Sequence, residues 1–371
     1  MREKPSVLML AQLPPPVHGA SVMNKTIADS ALVNAAFALE TINIATAESI
    51  SDIGKTSLKK YGKFLALWRR VVSALRRRPD LVYLTLSPFG AAFVKDALLA
   101  LTAKAFGARL VYHLHGKGIG AEFARGGWRA ALYRRVFADA QVISLAPALY
   151  RDIERVVPSE RVHFLGNGVN SQAIELAREA DAPVSIVYLS NMVPTKGARV
   201  LLEAAKLLAE RGLDFRVRYA GNWGTDPQFK QDFLAFIETH WLADKVQYLG
   251  PQYGDDKKKL LCSGDVFVLP TYFRNECFPL AILEAMSCAL PVVSTFEGAI
   301  PDLVKDGESG FLVAQQDVTA LADALEKLIR DPALRQRLGA AGLASYEANY
   351  TVSAFEGQFV AILRRVLERA S

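Results

Sequence analysis

A repeating alternation constrains this chain more than any other feature. Short runs that are apolar on both faces alternate with longer stretches of helical periodicity. In the first half the runs are Ser6–Gln12, Leu39–Ile44, Leu81–Leu86, Arg109–His113, Gln141–Leu145 and Val162–Leu165, with helical stretches such as Ser57–Arg78 and Pro88–Phe106 between them. In the second half they are Ser185–Leu189, Phe215–Tyr219, Val246–Tyr248, Val266–Leu269 and Val292–Ser294. The helical stretches there include Ala198–Arg211, Gln228–Thr239, Leu280–Cys288 and Thr319–Arg330. A strand without a polar face must be covered on both sides, and a helix after each strand returns the chain parallel to it. The expected class is therefore α/β, with parallel sheets between layers of helices.

About a dozen such units exceed one open sheet of ordinary size. A length of 371 residues fits two or three domains. The polar segment Asn170–Pro183 separates the halves and reads as a linker. We therefore expect two doubly wound, Rossmann-like domains, residues 1–170 and 171–350, facing a central cleft. Sheets of this kind bind ligands at the carboxyl ends of their strands. No internal sequence repeat accompanies the similarity of the halves.

Composition removes several classes. With 51% hydrophobic and 22% charged residues, the chain is not a disordered one. Three widely spaced cysteines (Cys262, Cys277 and Cys288) without a C-x-x-C exclude a disulfide framework or structural zinc site and fit a reducing cytosol. The apolar run before Pro14 to Pro16 is too short for a signal sequence and reads as a first buried strand. Elsewhere charges break apolar runs before bilayer length. Charge is uneven: residues 1–170 hold 23 Lys and Arg against 12 Asp and Glu, the rest 21 against 26. Two halves facing different partners would show such asymmetry.

Four segments carry candidate chemistry. Gln12–Ser21 follows the first strand without a G-x-G-x-x-G, which disfavours a nicotinamide or flavin enzyme. Its Gly19, just before a helix starting near Ala20, either lets backbone N–H groups approach a phosphate or only makes a tight turn. Val111–Gly118 places His113 and His115 at the end of a strand, on one side of it. They suit hydrogen bonds to substrate hydroxyls or a structural role; no third metal ligand is evident. Lys196-Gly197 sits where a strand turns into a helix, as a point charge for a diphosphate or as a surface lysine. In Asp265–Thr295, Glu276 precedes a helix beginning near Pro279, and Glu284 lies inside that otherwise apolar helix. Proline suits a first helical position. A lone buried carboxylate is costly unless paired, and a ligand's hydroxyls, such as those of a ribose, would satisfy it. The N–H groups near Phe278, Leu280 and Ala281 form a candidate phosphate site.

On these residues the chain resembles the retaining GT-B glycosyltransferases of family 4 over nearly its whole length. The most specific match is the paired glutamates with Glu284-Ala285-Met286 and Pro291-Val292-Val293. Gly166-Asn167-Gly168-Val169 is similar to the family's domain junction, Lys196-Gly197 to its phosphate-binding pair, and Asp306 with Gly307 to Phe311 to its D-G-x-x-G-F stretch. The resemblance implies that Glu284 holds the donor ribose and Glu276 the donor sugar's hydroxyls. Lys196 and the Leu280 and Ala281 amides would bind the diphosphate, and Gly19 would close over it from the other domain. His115 would contact the sugar, with His18, His113 and Lys117 on the acceptor side. Residues 351–371 would form a final helix, Ser353–Arg369, returning to the first domain. Where the family has an arginine this chain has Asn191, after Ser190 in place of glycine; Arg274 is the candidate replacement.

The expected reaction moves a sugar from a nucleotide sugar, UDP-sugar first and GDP-mannose next, to a polyprenyl-diphosphate-linked or saccharide acceptor. That would serve cell-surface polysaccharide synthesis. The alternatives are a soluble transferase for a small acceptor and a non-enzymatic nucleotide-sugar-binding protein. No D-x-D occurs, so no metal and no other cofactor is expected, with Lys196, Arg274 and helix dipoles neutralising the leaving diphosphate. Lys55–Arg78 carries nine Lys and Arg and no acid, with Phe64, Leu65, Leu67, Trp68, Val71, Val72 and Leu75 at helical spacing. Arg125, Arg129, Arg134 and Arg135 add positive charge. The stretch reads either as a membrane-surface helix or as a core helix with a solvated basic face. Nucleic-acid binding is not expected. Taken together, these readings expect a cytoplasmic protein peripheral on the inner membrane face.

Overall fold

A computed structural model describes residues 4–15, 19–45, 58–175 and 182–368. Contacts divide the chain into two units, Met1–Gly168 with Val352–Ser371, and Val169–Thr351. The first holds strands β1 (Ser6–Ala11), β2 (Ala38–Asn43), β3 (Leu81–Thr85), β4 (Leu110–Leu114), β5 (Gln141–Ser144) and β6 (Val162–Phe164). Its helices are α1 (Gly19–Asp29), α2 (Ala31–Ala36), α3 (Leu58–Leu75), α4 (Gly90–Ala105), α5 (Ile119–Ala124) and α6 (Gly127–Phe137). The strands form one parallel sheet in the order β2-β1-β3-β4-β5-β6.

The alternation read from sequence is what fills this unit. Along β1, Leu8 and Leu10 join one core, with Val71, Phe93 and Tyr133 of the helices on that face. Val7 and Met9 join the other, with Met23, Ile27, Val33, Phe355 and Phe359. Successive side chains of a strand point to opposite faces, so a strand apolar at every position supplies two cores at once.

The second unit holds β7 (Val184–Leu189), β8 (Phe215–Ala220), β9 (Val246–Tyr248), β10 (Val266–Leu269), β11 (Val292–Thr295) and β12 (Gly310–Val313). Its helices are α7 (Ala198–Glu210), α8 (Pro227–Thr239), α9 (Gly254–Cys262), α10 (Leu280–Met286), α11 (Ile300–Leu303), α12 (Val318–Arg330) and α13 (Pro332–Asn349). The last helix, α14 (Val352–Glu368), belongs to the first unit, where the Arg109 guanidinium donates to the Val366 and Leu367 carbonyls at 3.4 and 3.0 Å. The second sheet is again parallel, ordered β12-β11-β10-β7-β8-β9. Strand order therefore reverses between β7 and β10, the place where doubly wound sheets open a crevice for ligand.

The structure departs from expectation at three places. The segment expected as a linker from Asn170 begins inside the second unit. Val169 N–H donates to the Tyr350 carbonyl at 2.9 Å, and Gln172 N–H to Ser287 Oγ at 3.0 Å, so backbone bonds hold this segment to that unit. The crossings lie at Gly168–Val169 and Thr351–Val352; residues 176–181 of the expected linker lie outside the described residues. The D-G-x-x-G-F stretch runs into β12, which periodicity missed because the strand opens on Gly310 and is only half buried at Phe311 and Leu312. Asp306 there accepts from Leu312 N–H at 2.9 Å, and a Cβ on Gly310 would sit 2.0 Å from the Val292 carbonyl oxygen. Helices α9 and α13 also went unread. Their polar and alanine-rich sequences lack a sharp apolar stripe.

Candidate active site

In the second unit, the loops after β7 and β10 meet at the strand-order reversal. The first runs through Ser190 and Asn191 to a single 3₁₀ turn, Pro194–Lys196, and Gly197. Tyr188 anchors it: the phenol donates to the Asn191 and Lys196 carbonyls at 3.2 and 3.3 Å. Burial raises the Tyr188 pKa, which keeps that donor protonated. Tyr272 N–H and the Thr271 hydroxyl both reach the Thr195 carbonyl, at 2.8 and 3.3 Å, and join the second loop to the first.

This stitching brings the Lys196 ammonium 2.6 Å from the Glu276 carboxylate, with side chains 18% and 9% exposed. The ammonium also lies 4.8 Å from the Phe273 ring centre, and the Thr271 hydroxyl 3.3 Å from the same carboxylate. Behind Glu276 stands the loop after β11. Ala299 N–H donates to the Cys277 carbonyl at 2.7 Å, and a Cβ on Gly298 would lie 2.3 Å from the Glu276 carbonyl oxygen. Loops from three adjacent parallel strands thus define one partly buried ion pair.

Glu284 corrects an expectation. It does not stand unpaired: its carboxylate is 2.7 Å from the Lys257 ammonium on α9, the two side chains 14% and 25% exposed. The sequence offered a ligand as a partner and did not single out Lys257, which is 27 residues away among three consecutive lysines with nothing to mark one as inward. Pro279 is also shifted. It precedes α10 with ψ 110° rather than opening it, and Leu280 is the first helical residue. The Leu280 and Ala281 N–H groups fall in a first turn that has no intrahelical acceptors. Phe278 is buried, edge-on to Tyr350 at 6.0 Å. Asn191 and Arg274 are both exposed.

Gly197 explains why the lysine can sit here. Its φ is +82°, and a Cβ would lie 2.1 Å from the Pro270 carbonyl oxygen. Gly197→Ala is expected to cost about 3 kcal/mol or more, adding left-handed strain to a backbone clash. Urea unfolding at wild-type stability would count against this close approach.

The expected first-unit residues divide. Gly19 is exposed and is the first residue of α1, one position earlier than expected. His113, expected to face an acceptor, is fully buried. Its Nδ1 is 2.7 Å from the Tyr83 hydroxyl, in a network where Thr85 Oγ1 donates to Asn24 Oδ1 at 2.8 Å and Asn24 Nδ2 to the Gln12 carbonyl at 3.0 Å. Burial, then the neighbouring His115, holds the His113 imidazole well below its usual pKa, so it is neutral. The His115 ring lies tilted against it, 4.0 Å between ring centres, and, like Lys117, His115 is partly buried near the end of β4. The following turn is tied down by Asp152, which accepts from the Gly118, Ile119 and Gly120 N–H groups. His18 lies outside the described residues. Among the described residues no three His, Cys, Asp or Glu side chains converge on a metal position.

Residues missed from sequence are Lys257, Tyr188, Thr271, Phe273, Tyr83, Asn24 and Asp152. Only Lys257 left a usable signal: a carboxylate on a buried helix calls for a cation, and α9 is the lysine-rich stretch nearest in sequence.

Comparison with known proteins agrees with this fold. Residues 51–168 match the model of a glycosyl transferase 4-like domain, and residues 170–344 that of glycosyl transferases group 1. A putative colanic acid biosynthesis glycosyltransferase, WcaL of Escherichia coli, is 35% identical over 147 residues, 38% of this chain and 35% of that protein. The amylovoran biosynthesis glycosyltransferase AmsK of Erwinia amylovora is 28% identical over 242 residues, 63% of this chain and 58% of its own. The chain thus spans from about a third to under two-thirds of the length of these curated relatives. In fold it is similar to Anabaena HepE, solved in complex with UDP, with a TM-score of 0.74 at 20% identity, covering 97% of this chain and 100% of that one. Together the two domain matches span about four-fifths of the sequence, and the chain belongs to the family 4 type of glycosyltransferases.

Proposed function

We propose that this protein is a retaining, metal-independent glycosyltransferase. It transfers a hexosyl group from a nucleotide sugar, UDP-linked first and GDP-mannose next, to a lipid-linked or saccharide acceptor in surface-polysaccharide synthesis. The observation that carries this reading is the pair of lysine-neutralised glutamates, Lys196–Glu276 and Lys257–Glu284, with the first pair at the β7–β10 reversal. The named roles of WcaL and AmsK support the pathway class, and the UDP complex of HepE supports the donor class.

In this reading Glu284 accepts hydrogen bonds from the ribose and Glu276 from the sugar. Lys196 turns from Glu276 toward the diphosphate, joined by the Leu280 and Ala281 N–H groups. Fixed positive charge then stabilises the leaving diphosphate. That phosphate takes the acceptor's proton as the acceptor attacks from the same face, and His115 contacts the sugar. Calorimetry with UDP and GDP, followed by turnover with a panel of their sugars, tests the donor. Donor binding without hydrolysis or transfer would leave a binding protein only.

Because lysines supply the charge, turnover is expected to persist in excess EDTA. Loss of turnover restored by Mn²⁺ or Mg²⁺ would sink that part of the reading.

The acceptor side is read at the cytoplasmic face of a membrane. On α3, Leu67, Val71, Ala74 and Leu75 are buried, as a core helix requires. Leu65 and Trp68 nevertheless face out, 48% and 37% exposed. The Trp68 indole N–H donates to Thr102 Oγ1 on α4, and four and eight residues before Thr102 stand the exposed Leu98 and Val94. Positions three or four apart share a helix face, so Leu65 and Trp68 lie on one face of α3, and Val94 and Leu98 on the face of α4 that carries Thr102. The exposed Arg69, Arg70 and Arg76 lie on or just beyond α3; Arg77 is committed to Glu40. Among the described residues no helix is long and apolar enough to cross a membrane. Arg69, Arg70 and Arg76 changed together to Ser should weaken binding to anionic vesicles at low salt by about tenfold or more while sparing UDP. If the wild-type protein ignores such vesicles, the acceptor is a soluble one.

A further inference from the structure

The second unit holds one more cluster of reactive side chains, apart from its ion pairs. Cys262 ends α9, and Cys288 lies two residues beyond α10. Both are partly buried and reduced, and their sulfurs are 3.1 Å apart. A disulfide spans about 2.04 Å, so closing it asks for movement of about an ångström. The Cys262 thiol also lies 3.3 Å from the Gln172 carbonyl and accepts from Ile174 N–H at 3.3 Å. The thiols therefore sit against the strand of chain that enters this unit. Sequence spacing alone hid this: the two cysteines are 26 positions apart.

The geometry points to Cys262 and Cys288 as a dithiol modification site, which a peroxide or a small disulfide converts into a disulfide that clamps the segment bearing Glu276 and Glu284. Burial and the neighbouring sulfur push the Cys288 thiol up, so it stays protonated and the first attack falls to Cys262. The Cys262 thiolate attacks one peroxide oxygen. An S–O bond forms, the O–O bond breaks, and the departing hydroxide takes a proton to leave as water. The Cys288 sulfur then displaces the hydroxyl of the sulfenic acid. An S–S bond forms, the S–O bond breaks, and the Cys288 proton leaves with that hydroxide as a second water. The two sulfurs are oxidised by two electrons in total, and one peroxide is reduced. With a small disulfide as oxidant, two exchange steps give the same bond and two small thiols.

The ring so closed contains β10, the Glu276 loop and α10. Cys288 is four residues beyond Glu284, and Cys262 five beyond Lys257, so the bond ties the two elements that hold the Lys257–Glu284 pair. A cross-link of this kind removes freedom mainly from the open chain. Moving the ends of α9 and α10 together also shifts Glu284, where small misplacements are costly. This last consequence rests on the nucleotide reading above; the bond itself does not.

The test uses the full-length protein and dilute hydrogen peroxide. The expected product has lost about 2 Da, joins the Cys262 and Cys288 peptides, and leaves Cys277 alkylatable. Amide exchange across 263–287 slows, UDP affinity falls about tenfold, and dithiothreitol reverses all of it. Cys262→Ser and Cys288→Ser each abolish the joined peptide. Absence of the cross-link, or its formation through Cys277, overturns the site. A cross-link without slower exchange in 263–287 overturns the clamp, and one that leaves UDP affinity unchanged overturns the coupling to the ligand. If the reduced protein also fails to bind UDP, the nucleotide reading falls instead, and the peptide map still decides the dithiol.

Discussion

Lys196→Gln is expected to lower kcat/KM for the nucleotide sugar by about 10²–10³, the loss seen when one fixed charge-stabilising group is removed from a water-poor site, worth about 3–4 kcal/mol. In the free protein the ammonium is 2.6 Å from Glu276, so the substitution has a second effect. It leaves a carboxylate that is 9% exposed without its cation, and stability should fall by about 2–4 kcal/mol. The two effects separate in the double variant with Glu276→Gln. Neutral on both sides, that variant should regain most of the stability in urea unfolding and none of the turnover. Recovery of both together would mean that Lys196 is a structural counter-ion and no more.

Glu284→Ala is expected to weaken UDP binding by about 1.5–3 kcal/mol, roughly tenfold to 150-fold, because ribose hydroxyls lose a charged acceptor. The Lys257 partner makes this sharper. Its ammonium occupies one carboxylate oxygen at 2.7 Å and leaves acceptor capacity for a ligand. Lys257→Met should therefore shift UDP affinity much less than Glu284→Ala. Equal losses from both in calorimetry would assign the pair to holding α9 against α10 and leave the ribose elsewhere.

Legibility followed the range of the interaction. The strand Val266–Leu269 was read to the residue, because a strand covered on both faces writes its burial into every position. The four residues of β12 were missed, since they open on Gly310 and Phe311 and Leu312 are only half buried, which leaves no continuous apolar run. Lys196, Glu276 and Glu284 were legible as types in places where charge is costly or useful. Their partners were not, because Lys196 and Glu276 are 80 positions apart and are joined only by the strand order. His113 shows the opposite case. Its place at a strand end looked like a substrate contact, and only packing showed it buried on Tyr83.

The sequence alone determined the class of fold, because that depends on local periodicity, and it singled out Glu276 and Glu284 as candidates, because burying charge is costly. Tertiary structure alone decided that each glutamate carries a lysine, that Leu65 and Trp68 face out with the Trp68 indole bonded to Thr102, and that Cys262 meets Cys288. Each of those depends on which strands become neighbours and how helices pack across them. That is set by the summed burial of a whole unit and is written at no single position.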